Sequence, residues 1–290
     1  MYKVGVASIL GRPNAGKSTL LNKIINEDAS IISNKVGTTR NNIIGIYNDE
    51  DSQIEFIDTP GINKSKDLLN KRMNKNIRDS KEVSDIILYL VNIKGGLNKE
   101  DLNNLNGLSN DNVFLLINKI DGHSKEEIMK AIIKSKDLYP FKEIIPISAR
   151  RGDGVEDLLK TIKRYLNESD VRLYDESLYT LNSLNFMLSE IVREEILKRV
   201  YEEVPHEVTT VTKSIKENEK YTKVNIEIIV SRDNLKSIII GKKGEMLKEI
   251  GSSARPRMEG LIGSKVYLEL KVKSIDNWKN DSASLESLGL

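Results

Sequence analysis

Two kinds of hydrophobic pattern alternate along the first half of the chain. Short apolar runs rich in branched side chains recur, and segments with apolar positions three and four residues apart separate the later runs. Runs of the first kind are typical of buried strands, and the second pattern is typical of helices. The runs that predict strands lie at residues 3–10, 42–47, 53–58, 85–91, 113–118 and 143–148.

Helical spacing follows at residues 18–25, 66–80 and 155–166. Strands that alternate with helices predict an α/β domain with a mostly parallel sheet that is covered on both faces. The two strands between residues 42 and 58 are separated only by the turn sequence DEDS, so we predict a hairpin and one antiparallel edge.

The pattern changes after residue 166. Residues 167–177 are polar and read as a linker, and Leu181, Leu184, Leu188 and Ile191 then mark a long amphipathic helix. Alternating runs at 206–215 and 221–230 predict a strand pair. A short helix, a glycine loop, a second helix and a strand at 265–272 follow. We therefore predict an α/β domain at residues 1–168 and a linker plus an α+β domain at 169–290, a length that suits two domains.

Composition narrows the class of protein. The chain has no cysteine, which excludes disulfides and thiolate metal sites and fits a reducing cytoplasm. No segment is apolar for long enough to suggest a membrane span. Net charge is only +2, but residues 232–257 carry seven basic and three acidic side chains. Such local positive charge indicates an anionic partner for this segment.

Four short motifs in the first domain have the order expected of a guanine-nucleotide site. GRPNAGKS occupies residues 11–18, DTPG 58–61, NKID 118–121 and SAR 148–150. Glycines of the first motif let backbone N–H groups face phosphates, and the following helix N-terminus adds partial positive charge. We predict a P-loop GTPase domain in which Lys17 reaches the β- and γ-phosphates of GTP.

The DTPG motif predicts a Mg²⁺ site and a phosphate sensor. The Asp58 carboxylate and the Ser18 hydroxyl are expected Mg²⁺ ligands, and a threonine of VGTTR is expected to add a third. We favour Thr39, although the sequence does not separate it from Thr38. Gly61 lets its N–H approach the γ-phosphate, so the loop after it can sense that phosphate.

The residue after DTPG is Ile62 and not glutamine, so no amide side chain is available there to align the attacking water. We therefore expect slow intrinsic hydrolysis, with the water positioned by backbone groups, a distant residue or a partner.

The later motifs predict the choice of base. Asp121 can accept hydrogen bonds from the ring N–H and exocyclic amine of guanine, a donor pair that adenine lacks. Asn118 is expected to support the pocket, Lys119 to pack against the base, and the Ala149 N–H to meet the guanine oxygen. An unpaired carboxylate is costly, so the site should reject ATP.

These motifs give two sets of candidate residues. The smaller set is expected to act in catalysis and comprises Lys17, Thr39, Asp58 and Gly61. The residues expected to bind GTP are Gly11, Arg12, Pro13, Asn14, Ala15, Gly16, Lys17, Ser18, Thr19, Thr38, Thr39, Asp58, Thr59, Pro60, Gly61, Asn118, Lys119, Asp121, Ser148, Ala149 and Arg150.

The second domain carries Gly-Lys-Lys-Gly between two helical segments. Paired glycines allow a sharp turn that brings N–H groups and lysines against a nucleic-acid backbone, as in the GXXG loop of KH domains. The order α-β-β-α-α-β around it is that of the type II KH fold, and single-stranded RNA is the expected ligand. The apolar residues expected to form a groove for bases are Ile238, Ile239, Ile240, Met246, Leu247 and Ile250. The residues expected to contact RNA are Ile240, Gly241, Lys242, Lys243, Gly244, Lys248, Arg255 and Arg257.

These motifs, together with residues 193–211, 238–259 and 263–281, resemble the Era family of bacterial GTPases over nearly the whole chain. The resemblance implies binding to the 3′ end of 16S rRNA and a role in assembly of the small (30S) ribosomal subunit, with GTP-dependent recruitment and release. It also implies peripheral contact with the inner face of the cell membrane, and we expect a cytoplasmic monomer. Related GTPases with this loop use its asparagine to bind K⁺, which makes Asn14 a candidate K⁺ ligand.

Three other functions compete with this one. A tRNA-modification GTPase is disfavoured because its known relatives end in a cysteine-bearing motif, and a tandem-G-domain GTPase because only one set of motifs is present. An RNA-binding scaffold with a structural nucleotide site would differ from a GTPase in lacking GTP turnover that depends on Lys17.

Overall fold

The computed structural model describes residues 2–61, 67–109 and 111–290. Contacts between residues divide the chain into two compact units. The first comprises Met1–Ile32, Val36–Lys64 and Met73–Leu181, and the second comprises Ser33–Lys35, Ser65–Arg72 and Asn182–Leu290. Residues 169–181, which the sequence analysis groups with the second domain, therefore belong by their contacts to the first unit.

Strands and helices alternate up to residue 163, apart from one pair of consecutive strands. The strands are β1 (Tyr2–Gly11), β2 (Ile43–Asn48), β3 (Ser52–Asp58), β4 (Ile86–Asn92), β5 (Val113–Asn118), β6 (Glu143–Ile147) and β7 (Asn167–Ser169). The helices are α1 (Lys17–Ile25), α2 (Leu68–Val83), α3 (Lys99–Asn106), α4 (Lys125–Lys136) and α5 (Val155–Lys163).

Among the described residues, seven strands form one sheet, in which six have the order β2-β3-β1-β4-β5-β6 and β7 lies off this path. Neighbours from β3 to β6 are parallel, and β2 is antiparallel to β3. This confirms the predicted mostly parallel sheet and its antiparallel edge. Strand β7 pairs with the start of β1, so the assignment of residues 167–169 to a linker is wrong.

Both faces of this sheet are covered. Ile87, Tyr89 and Val91 of β4 pack with apolar residues of α2, α3 and α4, while the intervening Ile86 and Leu88 are also buried. Since successive side chains of a strand point to opposite faces, burial of both sets requires layers on both sides.

The segment before the second unit runs along the β2 edge. The Ile46 N–H donates to the Tyr179 carbonyl at 2.8 Å, and the Leu181 N–H donates to Ile44 at 3.4 Å. Assigning Leu181 to the following helix is therefore wrong, since that helix begins at Leu184 after the N-cap Ser183. This pairing covers a sheet edge that would otherwise be open.

The second unit has the predicted order of elements. Its main elements are α6 (Leu184–Arg199), α7 (Val204–Glu207), β8 (Val208–Glu217), β9 (Thr222–Val230), α8 (Asp233–Ile240), α9 (Glu245–Ile262), β10 (Val266–Ser274) and α10 (Ser282–Ser287).

The strands of this unit form a sheet with the order β10-β9-β8, in which β9 is parallel to β10 and antiparallel to β8. Apolar residues of α6, α8 and α9 pack against this sheet in one core. The arrangement confirms the predicted α-β-β-α-α-β fold. Among the described residues, no helix combines the length and apolar composition needed to cross a membrane.

Candidate functional site

The four motifs of the first unit meet at one edge of its sheet. GRPNAGKS, DTPG and NKID begin with the last residues of β1, β3 and β5, and SAR follows β6. Because these strands run in the same direction, their carboxyl ends lie at the same edge. Open α/β sheets bind ligands at this edge, where the strand order reverses.

The phosphate loop has a backbone that only certain residues can adopt. Gly11 has φ 142° and Gly16 has φ 105°, values that favour glycine. A Cβ at Gly16 would lie 2.3 Å from the Asn118 side-chain nitrogen, so the loop and the NKID segment approach closely. The sequence thus places a glycine where a side chain cannot fit.

Lys17 lies buried inside this loop. Its ammonium donates to the carbonyls of Gly11 and Arg12, each at 3.1 Å. Burial lowers the pKa of Lys17, and the nearby Asp58 carboxylate opposes that shift. An ammonium carries three donors and the loop carbonyls use two, so Lys17 is suited to bind a phosphate oxygen with the third.

Three oxygen-bearing side chains converge beside Lys17. Ser18 Oγ donates to Asp58 Oδ2 at 2.6 Å and lies 3.1 Å from Thr39 Oγ1. The second carboxylate oxygen of Asp58, Oδ1, is buried, and no hydrogen-bond partner is present for it among the described residues. Burial raises the pKa of Asp58, against the effects of Lys17 and Ser18.

These oxygens fit a Mg²⁺ ion. Hydroxyl and carboxylate oxygens are its preferred ligands, and a buried carboxylate oxygen without a donor is a position that a cation would satisfy. Ser18, Thr39 and Asp58 would bind the ion, and when bound it neutralises phosphate charge. The contact with Ser18 also favours Thr39 over Thr38 as the threonine ligand.

Ser30 is a neighbour of this site that none of the four motifs includes. Its hydroxyl donates to Asp58 Oδ2 at 3.0 Å, and Asn22 fixes its backbone through bonds of 2.7 and 2.9 Å. No motif covers residue 30, since the contact depends on how the segment after α1 folds back.

The base-recognition motif is tied to the phosphate loop. Asn118 donates to the Ala15 carbonyl at 2.8 Å and accepts the Ala149 N–H at 2.9 Å. Lys119 donates to the Asn14 carbonyl at 2.9 Å. The Ala149 N–H, which the sequence analysis expects to meet guanine, has Asn118 as its partner here.

Asp121 is accessible and ionised. Ser148 Oγ donates to Asp121 Oδ1 at 2.7 Å, and this bond lowers the pKa of the Asp121 carboxyl. The carboxylate is therefore available as an acceptor for the two guanine donors. Thr19 and Arg150 line a polar pocket together with Asn26 and Asp28.

Other residues of the predicted set have different surroundings. Arg12 donates to the Gly96 carbonyl at 2.7 Å and pairs with the buried Asp101 at 3.2 Å. Thr59 Oγ1 donates to the Ile9 carbonyl at 2.8 Å.

Gly61 closes the DTPG segment next to the phosphate loop, since a Cβ there would lie 2.8 Å from Pro13 Cγ. The predictions for Ile62 and the loop after it lie outside the described residues.

The second unit has a groove beside the Gly-Lys-Lys-Gly turn. Gly241 has φ 73° and ψ 175°, a conformation that is nearly restricted to glycine, and Gly244 has φ 81°. Lys242 and Lys243 are exposed between them. The turn thus presents two ammonium groups at the start of α9.

The groove lies between α9 and β10. Its lining is Gly244, Leu247, Lys248, Gly251, Ser252, Arg255, Val266, Tyr267, Leu268 and Leu270. Gly244, Lys248 and Arg255 were predicted to contact RNA, and all three line this groove. Leu247 supplies apolar surface as expected, whereas Ile239 and Ile250 are fully buried in the core and cannot.

Two further side chains of the second unit serve its own packing. Arg257 forms an ion pair with Glu194 of α6, although it was predicted to contact RNA. Trp278 is completely buried and donates to the Glu207 carbonyl at 3.3 Å, so it offers no surface to a base.

Family models match both units. A model described as 50S ribosome-binding GTPase matches residues 6–119, and a KH domain model matches residues 203–279. Fold, site and models together define the chain as a P-loop GTPase joined to a KH domain.

Full-length relatives give the family. GTPase Era of Geobacter metallireducens is 42% identical over 99% of this chain and 98% of its own length, and GTPase Era of Clostridium tetani is 41% identical over 100% and 99%. The chain belongs to the Era family and is a GTP hydrolase.

Solved structures agree. Era in complex with MgGDPNP and nucleotides 1506–1542 of 16S ribosomal RNA is 38% identical, with a TM-score of 0.96 over 100% of this chain and 99% of that one. A variant of Aquifex aeolicus Era bound to GDP and AlF4⁻ is 38% identical, with a TM-score of 0.95 over 99% of each chain.

Proposed function

We propose that this chain is a GTP-driven switch that binds the 3′ end of 16S ribosomal RNA through its KH domain and acts in assembly of the 30S ribosomal subunit. The observation that carries the proposal is the solved relative bound to nucleotides 1506–1542 of 16S ribosomal RNA, which matches this chain over its full length. The basic groove beside Gly244, lined by Lys248 and Arg255, supplies the matching surface here.

The nucleotide site suits a switch because Thr39 and Gly61 lie on segments that contact Ser18 and Pro13 of the phosphate loop. Segments in contact with this loop can respond to the presence of the γ-phosphate. GTP binding then favours RNA binding, and hydrolysis favours release.

The family model whose description names the 50S subunit matches only residues 6–119, which lie in the first unit. The 16S rRNA belongs to the small subunit, so the proposed RNA partner does not follow from that model.

We infer Mg²⁺ as the resident cation at Ser18, Thr39 and Asp58, in agreement with the MgGDPNP of the solved relative. A K⁺ ion at Asn14 is a further prediction of the resemblance, and faster turnover in K⁺ than in Na⁺ that is lost in Asn14→Ala would support it. The cytoplasmic location, the peripheral membrane contact and the monomeric state stay predictions.

The test is RNA affinity in three nucleotide states. Anisotropy titrations would use the 1506–1542 fragment and an RNA of equal length with its 3′ segment reversed, each with a GTP analogue, GDP or no nucleotide. We expect the tightest binding for the natural sequence with the GTP analogue. Equal affinity in all three states would remove the switch, and equal affinity for both RNAs would remove the 16S assignment. Turnover of GTP that survives Lys17→Ala would contradict the assigned site.

A further inference from the structure

Two exposed tyrosines lie side by side at the far end of the RNA groove. Tyr267 of β10 is 57% exposed and Tyr221, just before β9, is 42% exposed, whereas the aromatic residue of the C-terminal segment, Trp278, is buried. Their ring centroids are 5.9 Å apart at an interplanar angle of 52°. Exposed tyrosines are enriched at binding interfaces, because the ring is apolar while its hydroxyl can stay in water.

The position of Tyr267 along the groove follows from the packing of β10 on α9. The Val266 N–H donates to Glu259 near the end of α9 at 3.0 Å, while Leu268 and Leu270 lie opposite Gly251 in its middle. Strand β10 therefore runs back toward the Gly-Lys-Lys-Gly turn. Tyr267, one residue after Val266, lies at the end of the groove farthest from that turn.

Tyr267 also marks the place where the groove meets the other face of the sheet. Leu268 and Leu270 pack against the core. Because successive side chains of a strand alternate between its faces, Tyr267 points to the other face of the sheet. There it lies beside Lys223 of β9. Within the described part of the chain, β10 pairs only with β9 and is an edge strand. An extended ligand leaving the groove can therefore cross this edge and reach the two rings.

The charges around the rings suit a phosphate backbone. Lys223 lies 5.6 Å from the Tyr267 ring centroid, and Lys223 and Lys271 both pair with one carboxylate, that of Glu269, at 2.9 and 3.3 Å. Two ammonium groups for one carboxylate leave positive charge beside the rings. Arg255 lines the same end of the groove and is exposed.

We propose that Tyr267 and Tyr221 form a stacking platform for an RNA base that lies beyond the groove. The platform is on the face of the β10-β9-β8 sheet opposite its helices. A KH groove binds about four nucleotides, and helix α9 from Glu245 to Arg255 spans roughly 15 Å at 1.5 Å per residue. A longer strand thus leaves the groove beside Arg255 and meets Tyr267. This inference rests on the proposed RNA function and extends the footprint of that site.

The experiment compares wild type, Tyr267→Ala, Tyr267→Phe and Tyr201→Ala by anisotropy, with a GTP analogue bound. The RNAs are the 1506–1542 fragment, copies shortened from either end, and copies with one abasic position. Tyr201 is the matched control, because it is a 67% exposed tyrosine of the same unit whose ring lies against Lys35.

For Tyr267→Ala we expect about 5- to 150-fold weaker binding of the long RNA, the range measured for loss of one stacked base. Tyr267→Phe and Tyr201→Ala should bind like wild type. The shortest RNA that still binds should not distinguish the variants. In wild type, an abasic nucleotide at one position of the RNA should weaken binding to the same extent as Tyr267→Ala does. In Tyr267→Ala, the same abasic nucleotide should cause no further loss of affinity.

Three results would overturn the platform. The first is unchanged RNA binding by Tyr267→Ala, and the second is an equal loss of affinity in this variant with the shortest RNA. The third is a loss of affinity in Tyr267→Ala that adds to the loss caused by an abasic nucleotide at every position tested. Wild type that fails to bind the long RNA would instead overturn the proposed function itself. The two failures are therefore distinguishable in one series.

Discussion

Asn118 donates a 2.8 Å hydrogen bond to the carbonyl of Ala15 and thereby ties the base-recognition motif to the phosphate loop. Its side-chain oxygen accepts the Ala149 N–H at 2.9 Å, so one buried amide joins three loops. The guanine-binding and phosphate-binding parts of the site are thus one hydrogen-bonded body.

Asn118→Ala should weaken both the fold and nucleotide binding. The change leaves the Ala15 carbonyl and the Ala149 N–H without their partner in a buried position, at about 1–3 kcal/mol for such a loss. Chemical denaturation of the nucleotide-free protein and GDP titration would measure the two effects. Asn103→Ala is the control, because Asn103 is exposed on α3 and its loss should change stability by no more than about 0.5 kcal/mol. Equal effects of the two substitutions would refute the argument.

Asp58→Asn should separate stability from function. The substitution keeps the shape of the side chain but removes a fully buried charge, one oxygen of which has no donor among the described residues. Loss of an incompletely paired buried charge is favourable, whereas loss of the countercharge of the buried Lys17 is unfavourable, so we expect little net change in the stability of the nucleotide-free protein at pH 7. Mg²⁺ should no longer strengthen binding of a GTP analogue.

Melting temperatures without ligand, and analogue titrations with Mg²⁺ or EDTA, would test this separation. Asp79→Asn serves as the control because Asp79 is exposed on α2, and it should retain the Mg²⁺ effect. A large loss of ligand-free stability in Asp58→Asn would show that the carboxylate is needed for folding.

The meeting of the four motifs follows from the sequence, because each motif is local and comes at the end of an apolar strand. Parallel pairing in the order β3-β1-β4-β5-β6 then suffices to bring the motifs to one edge. The side-chain partners of Arg12 and the contact of Ser30 with Asp58 could not be predicted in this way. Both join residues that are distant in sequence, and no spacing rule relates them.

The groove of the second unit shows a second limit. Helical spacing marks Ile239, Leu247 and Ile250 as apolar positions but does not separate the face that enters the core from the face that lines the groove. Strand β7 was missed for a related reason. Its three residues are polar and are ordered by pairing with β1, not by a pattern of their own.

Tyr174→Phe should loosen the segment that pairs with the β2 edge. The Tyr174 hydroxyl donates to Glu55 at 2.7 Å, and this bond, with burial, raises the pKa of Tyr174 to about 12. Because the folded pKa lies above the unfolded value, the stabilisation is fully present below about pH 10 and is lost as the pH rises through 12.

We therefore expect faster amide exchange at residues 173–181 in Tyr174→Phe, by the same factor at pH 6 and pH 8 after correction for intrinsic exchange. The ultraviolet difference between wild type and variant should show one phenol that titrates near pH 12. A phenol that titrates near pH 10, or a ratio that changes between pH 6 and pH 8, would contradict the bond to Glu55.

Gly241→Ala should abolish RNA binding and spare GTP hydrolysis. An alanine would have to adopt φ 73° and ψ 175°, and its Cβ would lie 2.7 Å from Met246 Cβ. Strain of about 1–3 kcal/mol would deform the Gly-Lys-Lys-Gly turn. The nucleotide site is built from other residues in the first unit, so turnover of GTP without RNA should not change.

The matched control for this substitution is Gly260→Ala in α9, the helix that follows the Gly-Lys-Lys-Gly turn. Gly260 lies inside α9 with open space around its Cβ position and needs no positive φ, so alanine there should raise stability by about 0.5–1 kcal/mol and leave RNA affinity unchanged. RNA titrations, thermal melts and steady-state GTP turnover on both variants would decide the matter. If Gly241→Ala binds the 1506–1542 fragment as tightly as Gly260→Ala does, the turn does not shape the RNA site.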